Sequence, residues 1–289
     1  MKIIESAHAK INLYLDVLAR RDDGFHDILT VMHSVGLCDE LTVTAEYADR
    51  SSVVLLVSSD YPVPSGRDNL AYRAADKYIE AAGITARVVI ELKKKIPMEA
   101  GLGGGSSDAA AVLRAMNKIF ATLSEGELQT LALSLGSDVP FCLVGGTYLC
   151  DGRGVPKQKI DLNSLNLLIV LGTGRITAKE GYDALDALYS DFDGTVPKPT
   201  KDLTVILTAF SGGEIKRDAL YNVFESIPLS PVAEALKLRD LLLASGAQSA
   251  LMSGSGPAVF GIFGTKSEAE KASATILKLG HTVYLTESI

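Results

Sequence analysis

The chain has 289 residues, 47% hydrophobic and 22% charged, and 28 Lys and Arg against 35 Asp and Glu leave a formal net charge of −7. Such a composition supplies a packed core and is unlike that of a disordered chain. The mildly acidic balance excludes a general binder of nucleic acid or anionic membrane, which needs clustered cations. The length allows one large domain or two of ordinary size. Cys38, Cys142 and Cys150 are too few and too scattered for a disulfide framework, and they include no C-x-x-C pair. No segment approaches the ~20 apolar residues of a membrane span, and Glu5 interrupts any apolar leader region. A cytoplasmic protein is expected, with no nucleic-acid or membrane partner.

In chain order, residues 1–60 show short β-favouring runs at Ile11–Val17, Val31–Val35, Leu41–Ala45 and Val53–Val57, separated by polar turns. Asp68-Asn69 opens a helix with Leu70, Ala74, Tyr78 and Ile79 on one face and Gly83 as its stop. Val88–Leu92 reads as a strand. A glycine-rich loop follows, then a helix from about Ser107 to Phe120. Ser124 and Glu127 form a capping box for the next helix, which ends before Gly136. The polar stretch 151–165, with Gly152, Gly154 and Pro156, reads as a domain junction near 155. Beyond it lie a strand at Leu167–Leu171, helices near 178–190, 201–210 and 231–244, a strand ending at Met252, a strand at Ala258–Phe263, a helix capped by Thr265 with Glu268 at N3, and a final strand at Thr282–Leu285. The order suggests a ferredoxin-like second half. Two α+β domains are expected.

The most informative stretch is Pro97-Met98-Glu99-Ala100-Gly101-Leu102-Gly103-Gly104-Gly105-Ser106-Ser107-Asp108. Its glycines permit positive φ and leave no Cβ between the amides and a ligand. The helix that follows presents unpaired N–H groups and the positive end of its dipole. Together these make a phosphate site that needs no basic surface. The Walker A pattern is absent, because no lysine follows the glycines. A dinucleotide fingerprint can be forced from Gly101-x-Gly103, but Glu125 and Glu127 belong to an exposed first turn and not to a second parallel strand. The structural alternative is a glycine turn whose small residues allow close helix packing.

Pro97-x-x-Ala100-Gly-Leu-Gly-Gly-Gly-Ser-Ser-Asp108-Ala-Ala resembles the central motif of the GHMP kinases, the family of galactose, homoserine, mevalonate and phosphomevalonate kinases. Ala9-Lys10-Ile11-Asn12-Leu13 and Met252-Ser253-Gly254-Ser255-Gly256-Pro257 are similar to its other two motifs in order and spacing. Asp23-Gly24-Phe25-His26 and Gly136-Ser137-Asp138-Val139-Pro140-Phe141 resemble the branch of the family whose substrate is a cytidine diphosphate derivative. The likeness extends over nearly the whole chain. It implies an α+β, two-domain GHMP kinase fold, with a left-handed βαβ unit in the N-terminal domain, a ferredoxin-like C-terminal domain and the active site in the cleft between them. With the junction near 155, the ATP-binding domain is expected over 1–155 and the C-terminal domain over 156–289. ATP, Mg²⁺, a small-molecule alcohol substrate and a monomer or weak homodimer are implied with it.

The resemblance also assigns residues. Pro97 to Ser107 cradle the triphosphate, with Met98 and Glu99 bordering the nucleotide and one of Ser106 and Ser107 reaching Mg²⁺; the metal ligands are otherwise unassigned. Asp138 accepts the proton of the attacking hydroxyl, and Lys10 resembles the family's catalytic lysine, keeping Asp138 ionised and stabilising charge. In isolation the two read as an ordinary ion pair. Asn12, two residues from Lys10, faces the same side of a strand and is a substrate contact. Phe25 and His26 look like a cytidine clamp, a stacking face and a base-edge partner; Phe25 stands where the family usually has Tyr, losing a hydroxyl. Thr177 and Tyr182 match a family stretch that lines the cytidine pocket. Ser253–Gly256 packs near the glycine loop by the same resemblance. His33 reads as a packing residue, and nothing is assigned to His8, His281 or Gly152-Arg153-Gly154. Two alternatives remain: another small-alcohol kinase of the family, against which Asp23–His26 argues, and an inactive nucleotide-binding relative, against which Lys10 and Asp138 argue.

Overall fold

The computed structural model of the chain describes residues 1–289 except 175, 190–201, 211, 214 and 216–218. These residues form two compact units. Met1–Ala9, Leu37–Met98 and Gly103–Gly145 make the first; Lys10–Gly36, Glu99–Leu102 and Gly146–Ile289 make the second. Two long strands, β1 (Lys2–Arg20) and β2 (His26–Tyr47), contribute to both. The runs expected at Val31–Val35 and Leu41–Ala45 are thus one strand. The polar residues between them read as a turn, but Val35 bridges Ser288, and the buried carboxylate of Asp39 accepts from the backbone N–H groups of Lys95 and Ile96.

In the first unit β3 (Ser52–Ser58), α1 (Leu70–Ala82) and β4 (Ala86–Lys93) form a parallel βαβ unit, and β4 pairs antiparallel with residues 40–47 of β2. Alternate residues Ala86, Val88, Ile90 and Leu92 of β4 are buried, as a half-buried strand requires. Asn69 caps α1 through Ala71 N, and Gly83 ends it at φ 61°. Behind α1 packs α2 (Gly104–Phe120), followed by α3 (Glu125–Leu135), whose Ser124–Glu127 capping box is present, and by α4 (Val139–Val144). The sequence reading missed α4, because six residues containing Pro140 offer no periodicity to detect. Pro140 occupies the first turn, where its missing N–H costs nothing.

A charged cluster lies inside this unit. Lys94, at the end of β4, donates to Asp39 Oδ2 and, at 2.7 Å, to Asp108 Oδ2 on α2, and all three side chains are at most 3% exposed. Burial drives the Asp108 carboxyl well above the usual carboxylate range; Lys94 opposes this and neighbouring Asp39 adds to it. A raised Asp108 lessens the charge held in this low-dielectric interior.

In the second unit β5 (Thr147–Gly152) pairs with residues 28–33 of β2 and with β6 (Val155–Lys159). The junction expected near 155 falls inside this hairpin, and Gly152 and Gly154 form its turn with φ 57° and 86°. A four-stranded antiparallel sheet has the order β11 (Val283–Glu287), β7 (Asn166–Leu171), β10 (Ala258–Phe263), β9 (Ser249–Met252). With α7 (Ser230–Ala244) between β7 and β9 and α8 (Lys266–Lys278) between β10 and β11, this is the expected ferredoxin-like arrangement. All six residues of β10 are buried. Leu168 and Val170 of β7 share an apolar core with Leu238 and Leu242 of α7 and Ala272 and Ile276 of α8. The helices read near 178–190 and 201–210 are α5 (Ala178–Leu188) and α6 (Leu203–Ala209); their expected limits at 190 and 201 lie outside the described residues. A short strand, β8 (Tyr221–Asn222), runs parallel to β1, with Asn222 opposite Leu15.

His33 joins three parts of this unit. Its Nδ1 is 2.7 Å from Thr147 Oγ1 and its Nε2 2.8 Å from Ser288 Oγ. Burial lowers its pKa from 6.5 to about 4.

Two stability predictions follow from these buried groups. Between pH 6.5 and about 4 the unfolded chain binds a proton at His33 that the folded chain does not. Stability therefore falls as pH drops through that window, by up to about 3 kcal/mol from this group. Urea denaturation at stepped pH should show this fall in the parent, and a flatter profile in His33→Gln. In the charged cluster, Lys94→Met leaves two buried carboxyls without their cation and should cost about 3–5 kcal/mol by urea denaturation. Asp108→Asn keeps a neutral group of the same shape and should cost no more than about 1.5 kcal/mol.

Candidate active site

In the first unit, α2 begins three residues earlier than its sequence suggests, with Gly103 at φ 68° as a cap that has no side chain to give. The first-turn N–H groups are therefore presented without a side-chain acceptor, and no acidic residue occupies that turn. Gly104 sits inside the helix despite glycine's poor propensity. A Cβ there would lie 2.9 Å from Ile96 Cγ2 and 3.0 Å from Lys94 Nζ, so the residue is chosen by close packing. Lys94 just before the loop and Asp108 just after it are the bonded pair of the charged cluster, and so the cluster ties the two stems together. Of the two serines, Ser107 is buried and donates its hydroxyl to His8 O at 2.6 Å and Gly103 O at 3.1 Å. Ser106 is half-buried, and its Oγ lies 4.0 Å from where a Cβ on Gly136 would stand. Asp138, two residues beyond Gly136, is half-buried at the head of α4, and its side chain does not cap that helix.

The bend itself, Glu99–Leu102, belongs to the second unit. Glu99 has φ 53°, an unfavourable value for a residue with a side chain, and Gly101 has φ 75°. A Cβ on Gly101 would overlap the carbonyl oxygen of Ser253, which leaves glycine as the residue that fits. Ser253, fully buried, donates its hydroxyl to Gly101 O at 2.9 Å, and Ala258 N donates to Ala100 O at 3.2 Å. Lys10 is bound into the same place. Its backbone N–H donates to Leu102 O at 2.9 Å, and the ammonium of this buried residue donates to Asn12 Oδ1 at 2.7 Å. Asn12 passes the chain on, donating to Thr30 Oγ1 at 2.9 Å, and Thr30 donates to Tyr14 O. The two-residue spacing of Lys10 and Asn12 puts both on one face of β1, as the sequence indicates.

The aromatic candidates also lie in the second unit. Phe25 is 46% exposed, and the Arg153 guanidinium carbon sits 3.6 Å above its ring centre, a cation–π contact. His26 stacks on Tyr182 with centroids 4.5 Å apart and 15° between planes, while its Nε2 is 2.8 Å from Asp186 Oδ1. Tyr182 meets Phe224 edge-on at 5.2 Å. Thr177 is exposed at the start of α5, and its hydroxyl is engaged with Glu180 in a capping box. Pro97 and Met98 are half-buried ahead of the bend, where Glu99 is exposed.

Three residues escaped the sequence reading. Asn222 uses both amide hydrogens on the Met252 and Gly254 carbonyls, at 2.7 and 2.8 Å, and accepts from Phe224 N at 3.0 Å; it holds the turn that backs Gly101. Arg153 lies in the Gly152-Arg153-Gly154 segment to which the sequence assigned nothing, and Asp186 is a lone carboxylate between Leu185 and Ala187 with no spacing that marks it. Among the described residues no group of three or more His, Cys, Asp and Glu is arranged to hold a metal ion, and no helix is long and apolar enough to cross a membrane.

Comparison with known proteins agrees with this arrangement. The model of the GHMP kinases N terminal domain matches residues 69–146, and that of the GHMP kinases C terminal matches residues 216–281. A 4-diphosphocytidyl-2-C-methyl-D-erythritol kinase of Caldicellulosiruptor saccharolyticus is 40% identical over 94% of this chain and 91% of its own. One of Thermoanaerobacter pseudethanolicus is 37% identical over 100% of this chain and 96% of its own. A crystal structure of 4-(cytidine 5′-diphospho)-2C-methyl-D-erythritol kinase superposes with a TM-score of 0.79 at 34% identity, covering 99% of this chain and 100% of that one. L. major mevalonate kinase, at 13% identity and TM-score 0.74 over 99% of this chain and 95% of its own, shares the fold. With its two family-specific regions, its full-length relatives and its glycine bend in place, the chain belongs to the GHMP kinases.

Proposed function

We infer that the protein transfers the γ-phosphoryl group of ATP to the 2-hydroxyl of 4-diphosphocytidyl-2-C-methyl-D-erythritol, giving the 2-phosphate and ADP, a step of isoprenoid precursor synthesis by the non-mevalonate route. The observation that carries the reading is the setting of Lys10, a buried ammonium whose own backbone is bonded to the glycine bend, in a chain closely related along its length to kinases of that substrate.

Phosphoryl transfer asks for a triphosphate cradle, charge neutralisation and a positioned hydroxyl. Pro97 to Ser107 cradle the triphosphate through backbone amides, with Pro97, Met98 and Glu99 bordering the nucleotide. Lys10 neutralises charge that builds on the transferred group. Asp138 accepts the hydroxyl proton, and Asn12, held by Lys10 and Thr30, orients the alcohol. Phe25 offers a stacking face to the cytosine, stiffened from the other side by Arg153, and His26 meets the base edge. Thr177 serves this pocket as the cap of α5, which carries Tyr182. A Mg²⁺ ion needs only one or two protein ligands beside its phosphates and waters; the half-buried Ser106 hydroxyl would be the one to hold it, whereas Ser107 is committed to backbone carbonyls. The ion would neutralise phosphate charge when bound.

The direct test incubates the purified chain with ATP, Mg²⁺ and 4-diphosphocytidyl-2-C-methyl-D-erythritol and follows ADP and the phosphorylated product. Turnover of homoserine, mevalonate or galactose in its place would move the chain to another branch, and nucleotide binding without any transfer would make it an inactive relative. Asp138→Ala should lower kcat by roughly 10²–10⁴ while nucleotide binding, read by calorimetry, persists. Gly101→Ala meets both the Ser253 carbonyl and a positive φ; it should raise the KM for ATP at least about tenfold and lower stability by about 1–3 kcal/mol.

A further inference from the structure

The imidazole of His26 is held more tightly than a stacking partner needs. Tyr182 covers one face nearly in parallel, and Tyr182 is itself wedged against Phe224, a residue of the apolar core. The His26 Nε2 lies 2.8 Å from one oxygen of Asp186, whose other oxygen lies 3.5 Å from the Arg20 guanidinium. The His26 side chain is 7% exposed. Plane, tilt and one ring nitrogen are therefore fixed before any ligand arrives.

An ionised carboxylate accepts hydrogen bonds and donates none, so the nitrogen facing it carries the hydrogen. In a neutral imidazole the other nitrogen, Nδ1, is then an acceptor. Cytosine presents an amino donor at position 4, and a uracil-type ring presents a carbonyl acceptor there. An acceptor on the protein pairs with the first and opposes the second, and a site built around one hydrogen bond rejects the analogue that leaves it unpaired by large factors.

We propose that Asp186 is a specificity-determining positioning residue, which fixes the Nε2–H tautomer of His26 so that Nδ1 selects a pyrimidine carrying a 4-amino group. The inference rests on the reading above that His26 meets the base. Arg20 keeps the carboxylate aimed, and Tyr182 keeps the ring from turning over. Replacing Asp186 with Asn supplies a side chain that can also donate to Nε2, which releases the opposite tautomer and lets Nδ1–H face a carbonyl.

The test uses the full chain with 4-diphosphocytidyl-2-C-methyl-D-erythritol and its uridine counterpart, at saturating ATP. The parent should favour the cytidine compound strongly in kcat/KM. Asp186→Asn should reduce that preference at least tenfold through the KM of the acceptor, with the KM for ATP unchanged, and Asp186→Glu should retain most of it. Nitrogen-15 NMR of His26 in the parent should show the hydrogen on Nε2, a reading that stands even if the Asn variant fails to fold. Preference that survives Asp186→Asn, or a hydrogen found on Nδ1 in the parent, overturns the inference alone. A parent enzyme indifferent to the base overturns the inference and the base-contact reading together.

Discussion

A carbonyl oxygen stands where a side chain at position 101 would begin. The Ser253 backbone approaches the bend so closely that the bend must be bare there, and the same contact lets Ser253 Oγ, Ala258 N and Lys10 N bond its carbonyls. Those bonds aim the carbonyls of residues 100–102 into protein. A peptide plane whose oxygen is pinned on one side has its N–H directed elsewhere, so the bend is already ordered in the way the proposed phosphate cradle would need. Lys10 is part of the same set of bonds. The same residue is thus bonded to the bend through its backbone and to Asn12 through its ammonium.

The stems of the loop are held by different physics. Asp39, Lys94 and Asp108 are ionisable groups in a dry interior, an arrangement that an apolar core of equal volume would often match in stability. Its usefulness lies in direction. Asp39 grips the two backbone amides that follow Lys94, and Lys94 reaches across to the first turns of α2, so strand end and helix start are indexed to each other by bonds with defined geometry. Gly104 makes room for that crossing, since its missing Cβ is what lets Lys94 Nζ and Ile96 pass.

Much of this was legible in the sequence where the cause is local. The capping boxes at Ser124 and Thr265, the cap at Asn69 and the αL stop at Gly83 are short-range patterns, and each appears as read. The pairing of Lys10 with Asn12 follows from the two-residue period of a strand. What stayed hidden depends on distant partners. Gly101 and Gly104 look alike in a run of glycines, yet one yields to a carbonyl 152 residues away and the other to a neighbouring lysine. Asp39 read as turn material because its acceptors' partners, Lys95 and Ile96, lie more than fifty residues on. The α2 boundary slipped because glycine propensity argues against a helix that packing demands. Thr177 and Ser107 read as ligand contacts through resemblance, while the structure spends their hydroxyls on a helix cap and on backbone carbonyls.

The glycine-rich stretch is not self-contained, as the place of Asn222 shows. One amide, on a two-residue strand, grips the Met252 and Gly254 carbonyls that flank the Ser253 carbonyl behind Gly101. A graft of residues 97–107 onto another scaffold would carry the glycines without their mould. To transplant the anion site, an engineer would have to move four pieces of chain at once, from the beginning, middle and end of the polypeptide, and the smallest of them would be a single asparagine.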